Sequence, residues 1–401
     1  MSPSHRAAAP PTAQVGSRPA IPQTELAPGY RIPRLVVGGW QLSHGHRGAP
    51  REPAEAVETL VALADRGLTA FDCADIYTGV EELFGRFLRR WRTTSTGGNP
   101  AGGAGASIQI HTKLVPDWSH LPHVDEAYVR GVVERSLRRL GVETLDLVQL
   151  YWWDLERGDW LAAGRALGRL QQEGKIRHLG VTNFTAAEVE TLEREADIHL
   201  LSNQVQYSAL DRRPEHNLTY HCAVSGLHLL TYGALAGGFL TGSWLGKKDP
   251  TQASSPAESQ ERPDESSGDP GFPSPQALAS LPNRSLIKYR LIIQEFGGWE
   301  PYQALLRELV DIGTTHGVGP APVALRFVLD QPEVAAALVG FSSLSRMEEN
   351  LRALTLQLTP EDHARIRRHT QEAPGPQGDI FALERDRQGP HGRIMKYEEN
   401  G

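Results

Sequence analysis

The sequence predicts an α/β protein folded as a single (β/α)8 TIM-type barrel, and three observations carry that expectation. From about residue 32 to residue 350, short β-branched or Leu-rich runs alternate with longer segments of helical period, the pattern of repeated βα units. The short runs number eight, and each is uniformly apolar, as strands covered on both faces must be. An open doubly wound sheet usually carries fewer strands and a GxGxxG turn after the first, and this chain has no such turn there.

In chain order the candidate strands are 35–38, 69–72, 108–112, 145–151, 176–182, 200–205, 227–232 and 334–339. The helices between them carry local signals. Val57, Leu60, Val61 and Ala64 form one apolar stripe that stops at Gly67, and Val129, Val132, Val133, Leu137 and Leu140 form another that stops at Gly141. Thr185 and Glu188 have capping-box spacing, which starts a helix just after Asn183-Phe184. Two low-complexity insertions interrupt the alternation. The Gly- and Ser-rich stretch 95–107 reads as a linker on the stability face, while 247–282 follows the seventh strand and is either a lid at the barrel mouth or disordered. The chain therefore divides into a disordered N-terminal tail (1–28), the barrel (29–372) and a C-terminal tail (373–401). Phe381, Met395 and Tyr397 give that last segment the means to fold back over the mouth; the other reading leaves it exposed.

Composition narrows the function class. With a formal net charge of -7 the protein lacks the basic field that nucleic acid requires, and no apolar run approaches the ~18 residues of a membrane span. Two cysteines without CxxC spacing suit a reducing, cytoplasmic location, and the N-terminus has no apolar core of a secretory signal. His44, His46 and His111 lack metal-ligand spacing, so no metal is expected. His111 points inward and serves either the site or the core, and His44 and His46 either line the mouth or are loop residues without a role.

Chemistry concentrates around the second and third strands. Asp72 ends one strand, Tyr77 follows on the loop, and Lys113 ends the neighbouring strand, so carboxylate and ammonium can pair inside the barrel, where either charge alone is costly. An ammonium near Tyr77 is expected to lower the phenol pKa and make it the general acid for a carbonyl oxygen. Trp40, Trp152 and Trp153 at strand ends would form an apolar wall suited to an aromatic or hydrophobic substrate, or simply pack the rim.

The D-x-x-x-x-Y block from Asp72 to Tyr77 and the Thr112-Lys113 strand end resemble the aldo-keto reductase superfamily. The resemblance continues through Leu35-Val36-Val37-Gly38-Gly39-Trp40, Leu179-Gly180-Val181-Thr182-Asn183-Phe184, Ser202-Asn203-Gln204-Val205, and from Tyr232 through Leu235 to Gly242, across about three hundred residues. It implies an NADPH (NADP+) cofactor and a small-molecule carbonyl substrate. Asn183 and Gln204 would bond the nicotinamide carboxamide, Tyr232 would stack on its ring, and Gly38 and Leu235 would lie along it. It further implies that Ser342, Arg346, Glu349 and Asn350, at the start of a helix after the eighth strand, hold the adenosine 2′-phosphate and adenine. A helix N-terminus with an arginine suits a phosphate.

One departure stands out. Where the family usually has a histidine that orients the carbonyl, this sequence has Tyr151. A phenol donates a hydrogen bond but does not protonate near pH 7. Three functions therefore remain open: a carbonyl reductase, an NADPH-binding regulatory or redox-sensing barrel with little turnover, and an enzyme acting on an activated C=C bond or a dehydration. Oligomeric state is not readable from the sequence.

Overall fold

Side chains alternate along each strand, so every strand of a closed barrel divides its residues between an outer face under helices and an inner face. A computed structural model describes residues 20–46, 52–95, 107–252, 271–340 and 343–398, and it shows that division throughout. An antiparallel hairpin, β1 (Gln23–Ala27) and β2 (Tyr30–Pro33), precedes the barrel. The barrel strands are β3 (Leu35–Gly38), β4 (Ala70–Asp72), β5 (Gln109–Leu114), β6 (Leu145–Leu150), β7 (Ile176–Thr182), β8 (Leu200–Gln206), β9 (His228–Tyr232) and β10 (Val334–Gly340). They pair in parallel in sequence order, and β10 closes on β3. The (β/α)8 expectation holds. The hairpin corrects the expected N-terminal tail, since residues 23–27 form a strand.

The hairpin plugs the barrel floor. Leu26, Tyr30 and Ile32 pack with the inward residues Val36, Ala70, Leu147, Leu230 and Ala336 in one apolar cluster. Above this layer the inward side chains of β4, β5, β6 and β8 are polar: Asp72, Lys113, Gln149 and Gln204. Gly180 makes room for them: a Cβ there would lie 2.8 Å from Ser202 Oγ and 3.4 Å from Gln149 Cγ.

Local signals fall where the sequence placed them. Gly141 ends the helix Glu126–Leu140 in a left-handed conformation, and Thr185 and Glu188 form a complete capping box. The linker 95–107 lies mostly outside the described residues. So does the middle of the insertion 247–282, but its ends are anchored. Asp249 pairs with buried Arg290 at 2.6 Å on the helix Arg284–Glu295, which stands over the mouth.

The C-terminal tail folds back across that mouth. Phe381, Glu384 and His391 are buried, and the Trp118 amide donates to the Tyr397 carbonyl at 2.8 Å. Among the described residues, no helix is long and apolar enough to cross a membrane.

Candidate active site

Asp72 sits at the top of β4, and β5 delivers Lys113 beside it. Lys113 Nζ donates to Asp72 Oδ1 at 2.5 Å and to the Cys73 carbonyl at 2.8 Å, and both charged side chains are buried. The other oxygen, Asp72 Oδ2, accepts from Gln204 Nε2 at 2.7 Å and from Gln149 Nε2 at 3.2 Å. Removing either member of such a pair leaves an uncompensated buried charge, a cost of about 3–5 kcal/mol. Burial alone would lower the lysine pKa, but Asp72 and Tyr77 outweigh it, and the ammonium is held above its ordinary range.

Tyr77 lies over this pair, with Lys113 Nζ 5.2 Å from its ring centroid and Trp40 packed on it at 5.0 Å. The expected lowering of its pKa is corrected here. Burial raises the phenol pKa, and Lys113 offsets only part of that rise. Tyr77 is thus a phenol that keeps its proton.

Tyr151 follows β6 and points into the same space. It packs edge-on against Trp153 at 4.8 Å and Phe381 at 5.7 Å, and its buried hydroxyl has no hydrogen-bond partner among the described residues. Burial pushes its pKa well up, so this hydroxyl is also neutral.

At the ends of β7, β8 and β9 stand two amides and an aromatic ring. The Tyr232 hydroxyl donates to Asn183 Oδ1 at 3.0 Å, which leaves the Asn183 Nδ2 hydrogens as donors. Gln204 has the opposite polarity: its Nε2 serves Asp72 and Gln149, leaving its carbonyl oxygen as acceptor. A donor and an acceptor side by side match a primary carboxamide, and a tyrosine ring beside them suits an uncharged planar heterocycle. Past β10, Ser343 caps the helix Leu344–Leu351 by accepting from the Arg346 amide at 3.3 Å, and the Arg346 side chain is exposed at the cavity edge.

Most of these groups line one cavity of about 960 Å³. It brings together Asp72, Tyr77, Lys113 and Tyr151 with Gly38, Asn183, Gln204, Tyr232, Leu235, Arg346, Glu349 and Asn350. Ser342 lies outside the described residues.

The sequence profile of the Aldo/keto reductase family matches residues 34–371. The chain belongs to the aldo-keto reductase family. The chain is 28% identical to Protein tas of Escherichia coli (strain K12) over 368 residues, covering 84% of this chain and 96% of that protein. It is 24% identical to Aldo-keto reductase YhdN of Bacillus subtilis (strain 168), covering 84% of this chain and 90% of the relative. The solved glycerol dehydrogenase AKR11B4 from Gluconobacter oxydans superposes with a TM-score of 0.64 at 25% identity, over 89% of this chain and 96% of that one. This aldo-keto reductase is accordingly an NAD(P)H-dependent oxidoreductase acting on carbonyl groups of small substrates.

The remaining sequence candidates separate. His111 lies below the site, with Nε2 3.0 Å from the Tyr30 hydroxyl, and burial lowers its pKa to about 4. His46 is buried at the cavity edge, 2.9 Å from Ser285 Oγ, whereas His44 is exposed. Trp40 and Trp153 line the cavity, but Trp152 is corrected: its neighbour Trp153 takes the cavity face, and Trp152 turns into the core and donates to the Arg157 carbonyl at 3.0 Å.

Sequence reasoning missed Gln149, Thr182 and Lys288. Thr182 shares the run that holds Asn183; its buried hydroxyl has no hydrogen-bond partner among the described residues and the residue lines the cavity, an inward placement that strand alternation gives. Lys288, on the mouth helix, carries no local signature.

Proposed function

We propose that this aldo-keto reductase uses NADPH to reduce the carbonyl of a small aldehyde, ketone or quinone, with Tyr77 as the general acid. The observation that carries the proposal is the single cavity in which a protonated phenol, held over a buried Lys113–Asp72 pair, faces the Asn183, Gln204 and Tyr232 cluster. When bound, the nicotinamide supplies the hydride. Asn183 would donate to its carboxamide oxygen, Gln204 would accept from its amino group, and the Tyr232 ring would fix its face. Arg346 and the helix start at Leu344 suit the 2′-phosphate, which favours NADPH, while Glu349 and Asn350 lie where the adenine would follow.

Tyr77 transfers its proton to the carbonyl oxygen as negative charge develops there, and the Lys113 ammonium stabilises the phenolate left behind. A phenol with a raised pKa stays loaded through the neutral range, so turnover falls only as alkaline pH strips that proton. Tyr151 donates a second hydrogen bond to the same oxygen without taking up a proton. Trp40, Trp153, Phe381 and Met395 offer the substrate an aromatic, apolar surface.

Tyr151 also supports a second reading. A neutral donor without a protonatable partner suits an NADPH-binding barrel with slow carbonyl turnover, or one that acts on an activated C=C bond. The test is NADPH oxidation between pH 6 and 8 with aldehydes, quinones and enones, together with cofactor binding by fluorescence. Tyr77→Phe is expected to lower turnover by about 10²–10⁴ with NADPH affinity retained. Tight binding without carbonyl turnover, gained only in Tyr151→His, would transfer the assignment to the second reading.

A further inference from the structure

We propose that the C-terminal tail holds the cofactor clamp in place: Glu384 and Arg385 are positioning residues that fix Asn183, so that docking of the tail and binding of the nicotinamide are coupled. This rests on the nicotinamide reading of Asn183 given above.

Asn183 has a φ of 62°, a left-handed conformation that asparagine adopts more readily than other side-chain-bearing residues, and its backbone is pinned there on both sides. Its amide donates to the Gln204 carbonyl at 3.0 Å. Its own carbonyl accepts from Arg385 Nη2 at 3.0 Å, a contact that spans 202 positions of sequence. Arg385 is itself fixed by Glu188 Oε1 at 2.9 Å, and Glu188 closes the capping box of the helix Ala186–Ala196, whose N-cap Thr185 lies two residues after Asn183. The tail thus grips the main chain of Asn183 through a guanidinium with a defined direction.

The side chain of Asn183 is reached by the preceding tail residue. Its Oδ1 accepts from the Tyr232 hydroxyl, and Lys288 Nζ donates to that hydroxyl at 3.5 Å. Lys288 Nζ is in turn 3.8 Å from Glu384 Oε1, and Glu384 also receives Arg213 Nη1 at 3.0 Å. Arg213, Asp211 and Glu384 are all buried. Undocking the tail would take from Lys288 its carboxylate partner and leave Arg213 with Asp211 alone, so Glu384 has a strong electrostatic reason to remain seated. Two consecutive tail residues therefore converge on one asparagine, Arg385 at its carbonyl and Glu384, through Lys288 and Tyr232, at its amide. A ligand that uses the Asn183 amide in this orientation favours the docked tail, and by reciprocity the docked tail favours that ligand.

The proposal is tested with NADPH and with adenosine 2′,5′-bisphosphate, which has the phosphate end of the cofactor but no nicotinamide. Arg385→Met is expected to raise the NADPH Kd about tenfold, within the usual range of such couplings, and to leave adenosine 2′,5′-bisphosphate binding within about twofold. Arg385→Lys, which keeps the charge without the two-nitrogen fork, is expected to recover only part of the loss. Arg90→Met, which removes an exposed cation paired with Glu58 at 2.8 Å and far in sequence from the tail, is expected to change neither Kd. In the wild-type protein, NADPH but not the bisphosphate is expected to slow hydrogen exchange of residues 381–394, a readout that needs no variant to fold. Unchanged NADPH affinity in Arg385→Met, equal loss for both ligands, or tail exchange indifferent to NADPH would overturn the coupling while leaving the cofactor reading standing. Failure of the wild type to bind NADPH would remove the cofactor reading and this proposal with it.

Discussion

Asp72 and Asp75 lie three residues apart on one strand-to-loop corner, yet they stand in different company. Asp72 receives an ammonium and two amide donors. Asp75 receives the Val115 amide at 3.1 Å, in a fully buried setting where burial first, and the nearby Glu81 second, push its carboxyl pKa well up. An acid whose folded pKa is raised adds stability below its ordinary value of 3.8, and that contribution is lost as pH climbs through the raised value. Asn has the shape of the neutral carboxyl and cannot ionise. Asp75→Asn is therefore expected to be the more stable protein at pH 8, where wild type carries the cost of either ionising or holding a proton on the buried acid. The advantage should disappear near pH 4, and denaturant melts across that range check it. A variant less stable than wild type at every pH would show that Asp75 is held as a carboxylate.

The elements that close the site are the ones with the longest sequence separations, which explains what could be read in advance. Barrel strands announce themselves locally because both faces are covered, and Asp72, Tyr77 and Lys113 share one block and one neighbouring strand end. The hairpin did not announce itself, because QTELA has one buried residue, Leu26, among exposed and half-buried ones and gains its meaning only from the floor it covers. Lys288 and Glu384 meet across ninety-six positions, and Arg385 meets Asn183 across 202, so neither pair leaves a periodic or motif signal. The same pairing makes the tail sensitive to acid. Burial would raise the Glu384 pKa, but Arg213 and Lys288 outweigh it and hold it down to about 2 from an ordinary 4.5. A depressed acid contributes stability above its unfolded pKa and loses it as pH falls through the folded one, so tail docking should weaken between pH 4.5 and about 2. Tyr397 packs on Trp118 and Trp153, so tryptophan fluorescence reports the release. Glu384→Gln is expected to show the released signal already at pH 6 and to lack the acid transition. Superimposable profiles for the two proteins would mean that another group governs the tail.

Across the whole molecule the barrel separates two tasks along its axis. The floor is apolar and closed by the hairpin. The middle layer is a network of buried donors and acceptors around Asp72. The mouth carries the cavity and is completed by the mouth helix and the tail. Barrels of this kind place chemistry at the C-terminal ends of the strands and stability at the opposite end, and His111 shows where the boundary runs. It is two residues from Lys113 on the same face of β5, yet it is bonded to Tyr30 of the hairpin and kept neutral by a pKa lowered to about 4. Stability and catalysis should then be separable by substitution at the two ends. Tyr30→Ala removes a buried ring from the floor and the partner of His111, at an expected cost of about 3–5 kcal/mol. Its kcat and KM, measured well below the lowered Tm, should stay within about twofold of wild type, because no mouth residue loses a contact. Tyr77→Phe should do the reverse, leaving Tm nearly unchanged while turnover collapses. A Tyr30→Ala protein that melts like wild type but has lost turnover would place the floor within the catalytic machinery, through His111 and the Asp72–Lys113 pair above it.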